Sequence, residues 1–322
     1  MPVETFLRLD LPQLMAALFA TLACALLGNF LVLRRQSLMG DAISHAVLPG
    51  IVVAFLFSAS RETWPMFAGA AMAAFLAVVL IDLVVRYGRM DPGTAMAVVF
   101  STMFAAGIVL IEQAAARNAD LDADCVLYGQ LEDIIWLAPT SMASLLEPAV
   151  WADLPREVVT LGGVLLLSAL VVGVFWKELK LASFDPALAT ALGYPAHIVN
   201  MGLMALVGLV AVAAFEAVGS ILVIAMLICP AAAARMLTDR LATQVAVSLV
   251  VAVISAIAGY VIAGFGPLWV GHDSSVSASG MIAVVSGICL GLAILFAPRY
   301  GTIARWRRSY AKEPEMTGRQ PV

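Results

Sequence analysis

Charge is what this chain has least of. Of 322 residues only 12% are Asp, Glu, Lys or Arg, against 62% apolar and a mean hydropathy of +0.99. Soluble domains carry about 25% charged residues, so a water-soluble fold is excluded and an integral membrane protein is what remains. The net charge of −4 decides little, because in such chains the placement of charge matters more than its sum. Cysteine is scarce as well. Cys24, Cys125, Cys229 and Cys289 form no CxxC and no paired spacing, and three of them fall in apolar stretches, where cysteine behaves as a small buried hydrophobe. There is no GxxxxGK[ST], so ATP is not bound through a P-loop, and no HExxH or GxSxG, so the usual hydrolase signatures are missing. The N-terminus has no basic n-region, and its first apolar stretch is long enough to stay in the membrane rather than be cleaved as a signal.

What is present is a series of apolar runs. A helix needs about 20 apolar residues to cross a bilayer core, and nine stretches qualify. They are Leu14–Leu33, Ala42–Ser60, Met66–Val85, Thr94–Ile111, Val158–Trp176, Ile198–Phe215, Ala217–Ala234, Val245–Ala263 and Ser277–Phe296, and only Asp82 interrupts any of them with a formal charge. The fold class is therefore all-α, a polytopic membrane protein with about nine transmembrane helices. Basic residues are retained on the cytoplasmic side. Arg34 and Arg35, Arg86 and Arg89, Lys177 and Lys180, Arg235 and Arg240, and the basic tail from Arg299 onward follow alternate spans, which leaves only Arg8, Arg61, Arg117 and Arg156 outside. That pattern puts the N-terminus outside and the C-terminus in the cytoplasm. It suggests one transmembrane domain over 1–304 and a basic, disordered cytoplasmic tail over 305–322 near lipid headgroups.

Two connections stand out. The outer loop 112–157 is acidic, with Asp120, Asp122, Asp124, Glu132 and Asp133 close together. It reads as a solvated loop or as a surface that docks a partner or attracts cations. Its apolar piece, Ile134–Leu146, contains Pro139 and is too short to span, so an interfacial or re-entrant helix is expected there. The cytoplasmic connection 177–197 carries "SFDPALATALGYP". Ser183 or Asp185 suits an N-cap, Pro186 suits N1, and Gly193 before Pro195 suits a C-terminal stop. A short capped helix over Pro186–Leu192 follows, shaped as a rigid foot for a cytoplasmic partner or as a plain helical linker.

Ionisable residues within spans are costly and mark functional sites by default. In "SLMGDAISHAVLPG", Asp41 and His45 stand four apart and share a helix face, with Ser44 beside His45. A helix starting near Arg35 puts His45 roughly 15 Å in, at 1.5 Å per residue, near the midplane. Carboxylate and imidazole are ligands for Mn²⁺, Zn²⁺ or Fe²⁺, and no cysteine lies near. Pro49 removes the backbone bond to the His45 carbonyl and loosens the helix. The pair reads equally as metal ligands or as hydrogen-bonding glue between helices, and as ligands it needs others from elsewhere. Asn29 is a further polar group in the first span. Asp82, four before Arg86, reads as half of a helix-face ion pair. Glu216, in "FEAVGS", falls in a tight outer turn. His197 and His272 lie at or beyond span ends, outside the ligand set, and the fifteen methionines read as packing residues.

The stretches "LRRQSLMGDAISHAVLPG", "DADCVLYGQLED", "SFDPALATALGYP", "EAVGSILVIAMLICPAAAARMLTDR" and "FAPRYG", in this order from Leu31 to Gly301, resemble the permease subunits of bacterial ABC importers for zinc, manganese and iron. The resemblance implies an all-helical importer fold related to the iron-siderophore and cobalamin permeases, in the bacterial inner membrane. It implies a second permease, identical or related, two cytoplasmic ATPases, and an extracytoplasmic metal-binding protein. No cofactor is held permanently; the metal is cargo. By the same resemblance Asp41 and His45 lie on the metal path, with Ser44 beside them and Glu216 as a gate residue. Ser183, Phe184, Asp185, Pro186, Ala187, Ala191, Leu192 and Gly193 belong to the segment that rests on the ATPase. Hard-to-borderline ligands without cysteine favour manganese over zinc and iron. The rival is a stand-alone secondary transporter or channel that uses Asp41 and His45 as a proton relay.

Overall fold

A computed structural model describes residues 3–58, 63–115, 131–269, 271, 276–298 and 301–304, and among them the structure is helical with no strand. Eight helices are long and apolar enough to cross a membrane. The first crossing is α1, Val3–Leu33, which opens with a π-helical stretch over Phe6–Asp10. Two short helices follow, α2 (Met39–Ala46) and α3 (Leu48–Ser58), then α4 (Thr63–Gly88) and α5 (Pro92–Ala115). Further along the chain come α6 (Pro148–Ala152), α7 (Arg156–Val174), α8 (Trp176–Phe184), α9 (Pro186–Ala191) and α10 (Ala196–Val218). The chain continues through α11 (Ser220–Leu237), α12 (Leu241–Trp269) and α13 (Ala278–Phe296).

Eight of the nine apolar runs thus become continuous helices, most of them extended past their apolar cores into polar ends. The run over Ala42–Ser60 does not. It is divided at Val47 into α2 and α3, and the cause is local. Pro49 has no N–H to give the His45 carbonyl; Val47 donates back to Ile43 at 3.1 Å, and Gly50 and Ile51 both donate to the Val47 carbonyl.

The helices pack as two groups. In one, α1 lies against α11, α12 and α7, and α13 closes over α11 and α12. Gly28 faces the backbone of Leu227 so closely that a Cβ there has no room. Asn29 donates to the Ala25 carbonyl at 2.7 Å and to Ser248 Oγ at 2.6 Å, so this polar group is helix-to-helix glue. In the other group α3 packs on α4 and α5, and α2 on α5. The backbones of α3 and α4 meet at Gly50 and Gly69. Helix α10 bridges, touching α1, α2, α4 and α7.

The segment 131–146 departs from expectation. No α-helix forms over 134–146; a 3₁₀ turn, Leu131–Asp133, precedes an irregular stretch, and a five-residue 3₁₀ helix, Met142–Leu146, ends it. This stretch is held by long-range bonds instead. Trp136 N–H donates to the Arg8 carbonyl at 2.8 Å, Arg8 Nε donates to the Pro139 carbonyl at 3.0 Å, and Gln13 donates to the Glu132 carbonyl at 2.9 Å. The Trp136 side chain is fully buried. Glu132 Oε1 accepts from the backbone N–H of Ala278 at 2.8 Å and so caps the start of α13, where a carboxylate is favoured. One member of the acidic group is therefore structural. Asp120, Asp122 and Asp124 lie outside the described residues.

Candidate functional site

His45 sits in the last turn of α2, partly buried. Its ring packs against Phe100 and Phe104 of α5, with centroids 5.4 Å from each, tilted to the first and edge-on to the second. Phe100 and Phe104, four apart, present neighbouring rings on one helix face, and together they restrict how the imidazole can turn. Asp41 lies on α2 one turn before His45, and Ser44 beside it; their side chains are outside the described residues. The helix starts later than the sequence suggested. α1 ends at Leu33, the chain turns through 34–38 with Arg35 at a left-handed φ of 57°, and α2 starts only at Met39. His45 is then six residues into its helix, roughly 9 Å at 1.5 Å per residue. Among the described residues no three His, Cys, Asp or Glu side chains come together.

Glu216 stands in the last turn of α10 rather than in the turn itself, which Gly219 makes with a φ of 82°. It lines a small pocket of about 30 Å³ with Trp64, Phe67, Arg156 and Glu157. His45 does not line that pocket, so the two residues serve separate places. Beside the break at Val47, an open apolar groove of about 680 Å³ runs along Pro49, Val53, Phe57, Met72 and Met103.

The opposite end of the spans holds a third cavity, of about 70 Å³, between the starts of α2, α5 and α10 and the end of α4. Asp82 lies in its wall. The expected pair with Arg86 forms, at 3.2 Å to Oδ2, and His197 approaches the other oxygen at 3.5 Å. His197 escaped the sequence reading because nothing local ties it to a residue more than a hundred positions earlier.

The foot forms largely as its caps dictate. Asp185 is the N-cap and accepts from the Leu188 N–H at 2.9 Å. α9 runs Pro186–Ala191. Gly193, at φ 85°, closes it, with Tyr194 N–H donating to Ala189 and Gly193 N–H to Thr190, the pattern of a Schellman stop. Phe184, Leu188 and Leu192 are 52%, 46% and 61% exposed, an apolar face at the end of a membrane protein. Ser183 lies before the cap, in α8. Its hydroxyl donates to the Leu179 carbonyl at 2.6 Å and accepts from Arg34 Nε at 3.0 Å; Arg34 Nη1 donates to Asn200 Oδ1. Arg34 therefore joins the end of α1, the foot and the start of α10. Burial lowers its pKa to about 10, which still leaves it charged at neutral pH. In the sequence Arg34 registered only as a topological charge.

Residues 9–146 and 152–297 match the model of a family described as "ABC 3 transport family". The chain belongs to that family. This ABC 3 family chain, a multi-pass membrane permease, is 38% identical over 297 residues to the manganese transport system membrane protein MntD of Bacillus subtilis, covering 92% of this chain and 95% of that protein. It is 39% identical over 289 residues to the zinc transport system membrane protein TroD of Treponema pallidum, covering 90% and 74%. Among solved structures it resembles PsaBC from Streptococcus pneumoniae, in complex with Fab, with a TM-score of 0.69, 28% identity, and 92% of this chain and 94% of that chain covered. The resemblance read from the motifs and the matched family agree.

Proposed function

We propose that this permease is the membrane-spanning subunit of an ATP-driven importer that carries a divalent transition-metal ion inward, manganese first among manganese, zinc and iron. Relatives named for manganese and for zinc support the class of cargo. The preference within it rests on carboxylate and imidazole donors without a nearby cysteine. The observation that carries the proposal is His45, an imidazole packed against two aromatic rings on a crossing interrupted two residues later, at Val47. An intramembrane ionisable group on a broken helix, where backbone carbonyls are loosened, is how ion sites are built within membranes.

In this proposal residues 1–304 are one transmembrane domain with the N-terminus outside, and 305–322 a cytoplasmic tail. An extracytoplasmic protein delivers the ion at the outer surface, and Glu216 lines the way in. The ion passes the level of Asp41 and His45, with Ser44 alongside. A pair of cytoplasmic ATPases receives the apolar foot, Phe184 to Gly193, and a second permease, identical or related, supplies the missing ligands. Closure of the ATPases pushes the foot, and Arg34 passes that push to α1 and to α10, which packs on α2.

The test is uptake of radioactive manganese into proteoliposomes holding the whole complex, with ATP inside the energised compartment, for the wild type and His45→Ala. Loss of uptake with the complex intact supports the site; unchanged uptake overturns it. Uptake by this chain alone, abolished by collapsing a proton gradient, would instead favour the stand-alone transporter.

A further inference from the structure

We infer that residues 134–151 form a lipid-binding shelf, lying in the headgroup layer of the bilayer with its apolar side chains dipped into the acyl boundary. Such a shelf serves the chain whatever it carries, so it goes beyond the transport reading and can fail without it.

The level comes first. A bilayer core is about 30 Å thick and a helix rises about 1.5 Å per residue. Gln13 lies about 30 Å along the axis from Leu33, the end of α1. Tyr260 lies about 28 Å from Leu241, the start of α12, and Ala278 about 27 Å from Phe296, the end of α13. Three helices thus mark one boundary, and hydrogen bonds join them there. The Tyr260 hydroxyl bonds Asp10 Oδ1 and Gln13 Oε1, both at 2.9 Å. Gln13 donates to the Glu132 carbonyl at 2.9 Å, and the Ala278 N–H to Glu132 Oε1 at 2.8 Å. Glu132 therefore leads into the shelf at the edge of the hydrocarbon. Trp136 and Pro139 bond Arg8, about 7 Å farther along α1. That is the thickness of one headgroup layer when the whole bilayer is about 40–45 Å.

The composition comes second. Residues 134–146 include no Asp, Glu, Lys or Arg, while Glu132, Asp133, Glu147 and Asp153 bracket them. Ile134 and Trp136 are buried and Ile135 and Leu137 turn outward; Leu137 and Leu146 are 71% and 87% exposed, with Met142 and Trp151 exposed as well. Trp151 packs edge-on against Trp136, centroids 5.7 Å apart, and its indole N–H donates to the Leu145 carbonyl at 2.7 Å. These contacts hold 142–151 at the level of Trp136. At that level of α1, Phe6 and Leu9 are exposed too. Trp and Tyr are favoured in the headgroup layer, and interfacial elements bind by burying apolar side chains just beneath it.

The backbone decides between depths. Between the two 3₁₀ elements it is irregular, so its polar groups need partners that hydrocarbon does not offer. A lipid-exposed stretch of this kind is excluded from the core and finds water among the headgroups. A soluble partner needs a surface standing clear of the headgroups, and this one is level with them.

The experiment uses the full-length chain with its four cysteines replaced by alanine, in vesicles of phosphatidylethanolamine and phosphatidylglycerol. A nitrobenzoxadiazole label is attached in turn at Leu137→Cys, Met142→Cys and Leu146→Cys, and at Ile288→Cys of α13 as the mid-membrane reference. Lipid with a nitroxide near the glycerol should quench the three shelf labels at least twofold more than lipid with a nitroxide near the chain end. Ile288→Cys should show the reverse order. Iodide should quench the shelf labels at least fivefold less than labelled free cysteine in buffer. With Leu137→Glu and Leu146→Glu combined, the label at Met142→Cys should lose most of its quenching by lipid and open severalfold to iodide, the chain staying monodisperse. The label positions are independent, so one variant that fails to fold leaves the test intact. Stronger quenching from the chain end would make the stretch re-entrant and overturn the shelf. Iodide quenching at the free-cysteine level without quenching by lipid would overturn it as well. So would shielding that appears only when an extracytoplasmic metal-binding protein is added, which would make the patch a protein-docking surface. Metal uptake by the complex tests the transport reading separately from all of these.

Discussion

The first two crossings follow one another in the chain and are held in opposite ways. α1 is a continuous helix, 72% buried over its apolar window, locked by backbone contact at Gly28 and by the Asn29–Ser248 bond. The second crossing is broken at Val47, flanked by an open apolar groove, and followed by α4 and α5, whose windows are only 39% and 28% buried. α1 cannot shift without disturbing four neighbours. α3 and α4 meet backbone to backbone at Gly50 and Gly69, both pack on α5, and α4 packs on α10 as well. A transporter needs both: a frame that keeps the two sides of the membrane in register, and an element that changes shape between them.

The sharpest way to break this contrast is at Gly28. Extra volume in a packed core costs about 1–3 kcal/mol where side chains can yield, and here the obstacle is the backbone of Leu227. Gly28→Leu should therefore remove folded protein from the membrane, read by size-exclusion of the solubilised chain. On the other crossing, His45→Ala should reduce metal uptake to background while yield and thermal stability stay close to wild type; a parallel loss of folded protein would make His45 part of the frame. Pro49→Ala restores an N–H that can donate to the His45 carbonyl and so joins α2 to α3. It should raise the melting temperature and slow uptake about tenfold, since removing a helix-breaking proline recovers up to about 3 kcal/mol of local helix stability. A Pro49→Ala protein that transports at full speed would show that the break is not used.

Smaller effects are expected further from the path. Asp185→Ala removes the cap of α9, worth about 1 kcal/mol, and should lower transport-coupled ATP hydrolysis by the complex severalfold while the chain still folds. Asn29→Ala should cost only about 0.6 kcal/mol, the usual worth of a hydrogen bond between membrane helices, and leave uptake unchanged; a loss of transport there would mean that the frame takes part in the movement.

Much of this was legible in the residues. Long apolar runs announce spanning helices because the bilayer leaves a backbone no other partner than itself, and eight runs became helices for that reason. The foot was legible because its caps are local: Asp185 reaches only three residues on, and Gly193 turns the chain where it stands. The Asp82–Arg86 pair was legible as an i,i+4 neighbour. Three features were not. The stretch 134–146 looked apolar enough for a helix, yet Trp136 and Pro139 bind Arg8 near the start of the chain. The start of α2 was placed too early because the left-handed turn at Arg35 delays it to Met39. Arg34 bonds Ser183, and His197 meets Asp82, across separations that leave no periodic trace.

The sequence by itself determined that this chain crosses a membrane, where most crossings lie, that the second is weakened at Pro49, and that a capped foot follows α8. These depend on local hydrogen bonding and on hydropathy, which each segment carries with it. Only the tertiary structure decided how deeply each crossing is buried, that Phe100 and Phe104 pack on His45, and that Gln36, Asp82 and Asn200 line one cavity. Such contacts arise from how helices distant in sequence are laid side by side, and side-chain packing across helices is set by the whole bundle rather than by any one of its segments.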